Sequence, residues 1–417
     1  MKITHLPSSF FPDHTGGKEQ FVDQLIRNLP QHDHLVVVHE GDQIKRYQHL
    51  GINVEVLPSL KSSNYRYSYF SQRFERPENF ATLLDQYKPN VVHFHDQSSG
   101  ASISHLDVVR EKKIKSVLTY HSPGQSSLQR ALIRNGKEPC DGRLDVTRCT
   151  VCRYASSGLP QPVAAIAGRI SIPGFDATGK FLFRKSTELY LDTWREFYQK
   201  VDLIQVHAHW VKDMLLLNNV AGSKIRYVEM GGSESRPVKD RSVSNGPLKL
   251  VFVGRCTDIK GVHLLIDAVR SLPDLALEVH FFGPGWNDDY GKSLQSKVGD
   301  DTRFKKPTLL QPGEVVNHLE DMDVSIVPSL WPETGPFTVF DAFAAHLPVI
   351  GTRHAGIAER CRDNVDSLLF NWGDSADLAS KISALYHDRV KLSTLRSNIR
   401  TNRTFRQFAN DIGELYN

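Results

Sequence analysis

The chain has 417 residues, 40% of them hydrophobic, with 51 Lys+Arg against 47 Asp+Glu. This is the make-up of a soluble globular protein too long for one ordinary core, so two domains are expected. It holds no apolar run long enough to cross a membrane, and Met1-Lys2-Ile3-Thr4-His5 enters a strand without a signal-peptide core, so a cytoplasmic protein is expected.

Charge is uneven along the chain. Residues 1–250 carry 33 Lys+Arg against 25 Asp+Glu, residues 251–417 carry 18 against 22, and the surplus concentrates at 101–200, with 16 against 9. A basic first half suits an anionic acceptor or peripheral contact with anionic lipid, while a solvated basic surface is the plainer reading. No recognition motif accompanies the charge, so nucleic acid is not expected as a partner.

Taken in chain order, short β-rich runs alternate with helical stretches, the pattern of parallel sheets covered by helices. The first half offers Lys2–Leu6, His34–Val38, Val54–Leu57, Val91–Phe94, Ser116–Thr119, Leu203–Val206 and Ile225–Val228. Residues 234–247 then turn polar and read as a linker. The pattern restarts with Leu248–Val253 and continues with Leu277–Phe282, Val324–Val327, Val349–Ile350 and Ser367–Phe370. From Leu395 onward, Phe405, Phe408, Ile412 and Tyr416 recur at helical spacing.

Several loops between these elements carry chemistry. Thr15-Gly16-Gly17-Lys18-Glu19 follows the first strand, and two glycines ahead of a helix let backbone N–H groups approach a phosphate. His95-Asp96 and His121 lie at the carboxyl ends of two further strands. Cys140, Cys149 and Cys152 cluster in a polar insertion, whereas Cys256 and Cys361 are isolated. A Cys-x-x-Cys with a third cysteine nearby suggests structural zinc, with free thiols or a reversible disulfide as the alternatives. A fourth ligand would have to come from His121, Asp141, Asp145 or elsewhere.

In the second half, Gly254-Arg255 closes a strand and Lys260-Gly261 opens the following helix, so a guanidinium and an ammonium flank a helix N-terminus. That arrangement suits a diphosphate whose charge must be neutralised as it leaves. The strand Val324–Val327 runs into Pro328-Ser329-Leu330-Trp331-Pro332-Glu333-Thr334-Gly335-Pro336 and then an Ala-rich helix from Phe337, with Thr338 in its first turn and Asp341 further on. A helix N-terminus offers unpaired N–H groups to phosphate, and a carboxylate accepts several sugar hydroxyls.

The stretch from Val327 to Glu359, read with Gly254 to Gly261, resembles the donor site of retaining glycosyltransferases of the family 4 / group 1 type. Those enzymes have the α/β GT-B fold, two Rossmann-like domains facing each other across a cleft. The resemblance covers the whole chain and is most specific from 248 to 373. It implies an acceptor-side domain of 1–247 plus a returning C-terminal helix at about 395–417, and a nucleotide-sugar domain of 248–394. It also implies a retaining hexosyltransferase that uses a nucleotide-diphosphate sugar donor and a hydroxyl acceptor, in surface polysaccharide, glycolipid or glycoside biosynthesis.

Residue by residue, the resemblance implies a catalytic set of Glu333, His121, Arg255 and Lys260. Donor contacts fall to Gly16, Gly17, Arg255, Lys260, Gly335, Phe337, Thr338 and Asp341, and acceptor-side contacts to His95 and Asp96. No metal is expected in the chemistry. Two glutamates eight positions apart mark the family; here the second is an aspartate, Asp341. His346 and Ala355 stand where glycines are usual. Relatives with a similar cysteine insertion often carry a further cysteine where this chain has Ser127. The competing readings are a sugar-nucleotide epimerase of the same fold and a non-catalytic nucleotide-sugar-binding protein.

Overall fold

A computed structural model describes the chain except for residues 15, 63–67, 69, 171–182, 238–245 and 312. It divides into two compact units, Met1–Glu229 with Arg406–Asn417, and Met230–Phe405.

The first unit is built on an eight-stranded sheet. Its strands are β1 (Lys2–Leu6), β2 (Asp33–His39), β3 (Lys45–His49), β4 (Ile52–Leu57), β5 (Val91–Phe94), β6 (Lys115–Thr119), β9 (Leu203–Val206) and β10 (Ile225–Tyr227), with a small hairpin of β7 (Ile133–Arg134) and β8 (Glu138–Pro139) in the cysteine insertion. The sheet order is β10-β9-β6-β5-β1-β2-β4-β3. All pairings are parallel except β3–β4. This antiparallel edge strand departs from the all-parallel expectation. Leu50 (φ 47°) and Gly51 (φ 87°) form a two-residue turn with both residues left-handed, which matches the twist of a tight hairpin. A Leu-Gly pair lacks the Asn-Gly or Asp-Gly signature that would announce such a turn.

The parallel strands are buried on both faces, which is why they read as near-continuous apolar runs. Helix α1 (Gly17–Arg27) follows β1 and buries Phe21, Val22, Leu25 and Ile26. The core gathers Leu6, Phe80, Phe94, Leu118, Trp194 and Phe197 among others. The C-terminal helix Phe405–Glu414 returns Phe408 and Ile412, both fully buried, and Phe408 packs edge-on against Phe21 with ring centroids 5.5 Å apart.

The second unit has a five-stranded parallel sheet, β12-β11-β13-β14-β15, made of β11 (Leu248–Val253), β12 (Leu277–Phe282), β13 (Val324–Val327), β14 (Val349–Thr352) and β15 (Ser367–Phe370). β11 lies between β12 and β13, so the chain leaves it toward opposite sides. Ligands of open α/β sheets bind beyond the carboxyl ends of the strands at such a point.

The division between units falls at Glu229/Met230 and Phe405/Arg406, against the expected 247/248 and 394/395. Residues 230–236 are tied into the second unit: Gly232 N donates to Arg403 O at 2.9 Å, and Arg236 N to Ala344 O at 2.8 Å. Asn402 Nδ2 donates to Ser233 O and Phe340 O. Most of the expected linker, 238–245, lies outside the described residues.

Candidate active site

In the second unit the loops that follow β11 and β13 are joined directly. Ile259 O accepts from Leu330 N (2.9 Å) and Trp331 N (3.0 Å). Gly261 caps the helix α2 (Val262–Arg270) with φ 71°, and a Cβ there would sit 1.9 Å from Pro328 O. Only glycine fits this approach. Across the seam Lys260 Nζ donates to Glu333 Oε1 at 2.6 Å, and Ser329 Oγ donates to the same oxygen at 2.9 Å. The Glu333 side chain is 13% exposed and that of Lys260 32%, so both keep a face toward solvent. Gly356 N in turn holds Glu333 O at 2.9 Å.

Arg255 is exposed in the loop after β11. The Pro-rich loop ends at Pro336, which caps helix α3 (Phe337–Ala344); Phe337 and Thr338 form its first turn, and Gly335 precedes the cap. Cations beside a helix N-terminus make an anion site, with the N–H groups supplying direction and the side chains charge.

Asp341 lies on the same helix. Ser233 Oγ donates to its Oδ1 at 2.6 Å. Burial pushes the Asp341 carboxyl up to about 6, against a smaller downward effect of the Ser233 hydrogen bond.

The two places where the family carries glycine are both left-handed here, His346 at φ 53° and Ala355 at φ 48°. The backbone has kept the conformation without the residue that adopts it at no cost. His346 Nε2 lies 2.8 Å from Arg236 O, a hydrogen bond a glycine could not make.

In the first unit Gly16 caps α1 and Gly17 is its first residue; Thr15 lies outside the described residues. Lys18 was not singled out from the sequence, yet it is the charged member of this turn. Its Nζ donates to Asp96 Oδ2 at 2.7 Å and also bonds Ser8 Oγ. Burial would raise the Asp96 carboxyl, but the Lys18 ammonium and hydrogen bonds from Lys18, Ser8 and Gln97 N outweigh it and hold it below the usual carboxylate range. Asp96 therefore stands as an ion-paired carboxylate beside the glycine turn.

His121 follows β6 and is partly exposed. Its N–H donates to Gln125 Oε1 (2.8 Å), and its Nε2 lies 3.1 Å from His95 Nδ1. Phe21 stands edge-on to its ring at 4.5 Å. Burial, then the neighbouring His207, Lys18 and His93, hold His121 well below its ordinary value.

Cys140, Cys149 and Cys152 line one cavity together with Arg143, Arg148 and Tyr190. All five cysteines are free. Cys149 and Cys152 sit one turn apart on the helix Val146–Ser156, and burial raises the Cys149 thiol to about 11, with the two neighbouring thiols adding to it. Asp141 Oδ1 lies 3.9 Å from Cys140 Sγ, although Arg148 also holds this carboxylate. Soft donors around one cavity suit zinc. Among the described residues, however, the group of three donor atoms that all fall within 4.8 Å of one another is that of His5, His93 and His95, and the three cysteines do not form one.

The family model described as "Glycosyl transferases group 1" matches residues 247–388, and that described as "Glycosyltransferase Family 4" matches 15–167; together they cover more than half of the chain. The chain belongs to the group 1, family 4 glycosyltransferases. Among curated relatives, the putative colanic acid biosynthesis glycosyltransferase WcaL of Escherichia coli K12 is 29% identical over 38% of the chain and 40% of that protein. The amylovoran biosynthesis glycosyltransferase AmsK of Erwinia amylovora is 28% identical over 45% and 47%. The matches thus span about half the length of these relatives. Among solved structures, Anabaena Alr3699/HepE in complex with UDP superposes with a TM-score of 0.68 at 15% identity, covering 100% of this chain and 99% of that one. The shared architecture is the GT-B fold of two Rossmann-like domains. Among the described residues, no helix is long and apolar enough to cross a membrane.

Proposed function

We propose that this chain is a retaining hexosyltransferase that moves a sugar from a nucleotide-diphosphate donor to a hydroxyl acceptor. The observation that carries the reading is the Lys260–Glu333–Ser329 constellation, held at the point where the second sheet's strand order reverses, on the loops that also carry Arg255 and lead into α3. In this reading Arg255, Lys260 and the first-turn N–H groups of α3 hold the diphosphate. Glu333 accepts hydroxyls of the donor sugar, and Asp341 accepts those of the ribose. His121, with His95 and Asp96, and the Gly16-Gly17 turn are the candidate functional residues of the first unit.

In this reading the transfer conserves configuration by a front-face route, with a double displacement through a nucleophilic carboxylate as the alternative. The acceptor oxygen bonds to the anomeric carbon on the side from which the diphosphate departs. The bond from that carbon to the phosphate oxygen breaks, and the acceptor's proton passes to the departing phosphate. The protein's part is positive charge and positioning, which lower the barrier by being set before the reaction. No metal enters this chemistry. Cys140, Cys149 and Cys152 are the residues that would hold a structural zinc, with free thiols or a reversible disulfide as the alternatives.

The names of the relatives support an acceptor in polysaccharide synthesis, and the UDP in the Anabaena protein makes UDP the first diphosphate to test. A cytoplasmic location, with contact at the inner face of the membrane through basic residues of 101–200, belongs to the same proposal. Thermal shift and calorimetry with UDP, GDP and ADP test it. One diphosphate should stabilise the wild type by mass action and lose its effect in Lys260→Ala. Tight binding with no donor turnover across a broad panel of acceptors would favour a non-catalytic nucleotide-sugar-binding protein. Release of free monosaccharide from the donor with no acceptor present would favour an epimerase.

A further inference from the structure

One face of the first sheet carries a row of imidazoles. β1 and β5 pair in register His5↔His93, β1 and β2 in register His5↔Val36, and β5 and β6 in register His93↔Val117. Side chains alternate along a strand, so residues two apart share a face. His34, His5, His93, His95 and His121 therefore point to the same side of the sheet.

Four of them are hydrogen-bonded in sequence across the strands. His34 Nε2 lies 2.9 Å from Leu29 O. His34 Nδ1 lies 2.9 Å from His5 Nε2, His5 Nδ1 lies 3.0 Å from His95 Nε2, and His95 Nδ1 lies 3.1 Å from His121 Nε2. His5 and His95 are fully buried, while His34 and His121 at the two ends are partly exposed.

Only one arrangement of protons satisfies this row with neutral rings. A carbonyl oxygen can only accept, so Leu29 O requires a proton on His34 Nε2. Neutral His34 is then bare at Nδ1, which requires a proton on His5 Nε2. The same step repeats through His95 and reaches His121. We propose that His34, His5 and His95 are positioning residues: a polarised imidazole relay, anchored on the Leu29 carbonyl, that holds His121 in its Nε2–H tautomer and leaves Nδ1 as a hydrogen-bond acceptor. An acceptor at Nδ1 suits a hydroxyl donor. Its use on a sugar or acceptor hydroxyl rests on the glycosyltransferase reading, but the tautomer does not.

The surroundings keep the rings neutral. Burial lowers the proton affinity of His5, His95, His121 and His34 in every case, and the neighbouring imidazoles lower the first three further. The charged groups that bear on the row are Lys18 near His95 and His121, and the N-terminal ammonium and Asp33 near His34. Of these only Asp33 favours a charged ring, and it acts at the exposed end.

His5, His93 and His95 also bring ring nitrogens within 4.8 Å of one another. These nitrogens are already committed: His93 meets Tyr416 Oη and Thr119 Oγ1, each at 2.8 Å, and His5 and His95 are occupied by the relay. A metal would have to break those bonds.

The test is two-bond ¹H–¹⁵N correlation of the full chain with ¹⁵N-labelled histidine, at neutral pH, with and without chelator. The expected spectrum shows His34, His5, His95 and His121 each protonated at Nε2 and bare at Nδ1, unchanged by chelator. A protonated Nδ1 on His121, an imidazolium at His5 or His95, or a chelator-sensitive pattern at His5, His93 and His95 would overturn the relay. His34→Leu gives a second reading. Removing the far acceptor should shift His121, three imidazoles away, by at least half toward the Nδ1–H form, because a buried bare acceptor costs less than a buried unpaired donor. An unchanged His121 signal in that variant would also overturn it. If the tautomers are as described but no diphosphate binds, the glycosyltransferase reading fails and the relay stands. The converse pattern sinks the relay alone.

Discussion

Lys260→Ala separates a structural from a catalytic role for the constellation after β11 and β13. The ion pair it removes is half-exposed on the lysine side, 32%, and largely covered on the glutamate side, 13%. Fully exposed pairs contribute about 0–1 kcal/mol, and breaking buried pairs costs about 3–5 kcal/mol. An intermediate site, where Ser329 still donates to Glu333 Oε1, should lose roughly 1–2 kcal/mol, seen as a fall of a few degrees in Tm. Loss of a preorganised donor aimed at developing charge is a larger effect, about 10²–10³ in turnover. Loss of one charge-assisted contact, roughly 1.5–3 kcal/mol, should weaken nucleoside-diphosphate binding by about 10–100-fold.

The companion variant is Glu333→Gln. Its amide oxygen can still accept from Lys260 and Ser329, so stability should change by less than about 1 kcal/mol, while turnover falls by the same orders of magnitude. The assay is release of nucleoside diphosphate and appearance of glycosylated product, with Tm and circular dichroism as fold controls. If both variants fold and transfer sugar within about threefold of the wild type, these residues are not the donor machinery and the argument from the switch point fails.

Three further outcomes follow from the geometry. Asp341 has its pKa raised from 3.8 to about 6. Between those values the folded chain holds a proton that the unfolded chain has lost, so stability falls as pH rises through that window, by on the order of 3 kcal/mol. In urea melts, Asp341→Asn should therefore gain on the wild type between pH 4 and 7, and a constant difference would contradict the burial of this carboxyl. Ala355→Gly relieves a left-handed alanine, worth ~1–2 kcal/mol, at an entropic cost of ~0.4–1 kcal/mol. It should raise Tm by a degree or two, and a lower Tm would refute the strain. Metal analysis of chain purified without chelator separates the readings of the cysteine cluster: close to one zinc, lost in Cys149→Ser together with a lower Tm, supports a structural site, and a metal-free wild type leaves free thiols or a reversible disulfide.

Much of this was legible in the sequence because strands buried on both faces show as apolar runs, and the loops at their ends stand out by contrast. β1, β5, β6, β11, β12, β13 and β15 all begin or end within a residue of where those runs do. β3 was not legible. Lys45-Arg46-Tyr47-Gln48-His49 is a largely exposed edge strand with no apolar alternation, and its register comes from a turn whose first residue is leucine. In the candidate site, Arg255, Lys260, Glu333 and Asp341 were named through the family resemblance. Ser233 was not, because a serine that holds a carboxylate 108 residues away leaves no local trace.

The histidines show the same limit from the other direction. Single imidazoles at His5, His34, His93 and His95 look like scattered polar residues in strands that should be apolar. They become one object only when the register β2–β1–β5–β6 places them side by side. A polar residue inside an otherwise apolar strand is a local conflict that folding must resolve by pairing. Here the partners of His34, His5 and His95 include other histidines, and those of His93 are Tyr416 and Thr119, so each ring is paired without bringing a charge into the core. A lysine or glutamate at His5 would have no counter-ion within the row. That explains why the row can cross the middle of a sheet at full burial, and why its one fixed end, a backbone carbonyl, is enough to orient all of it.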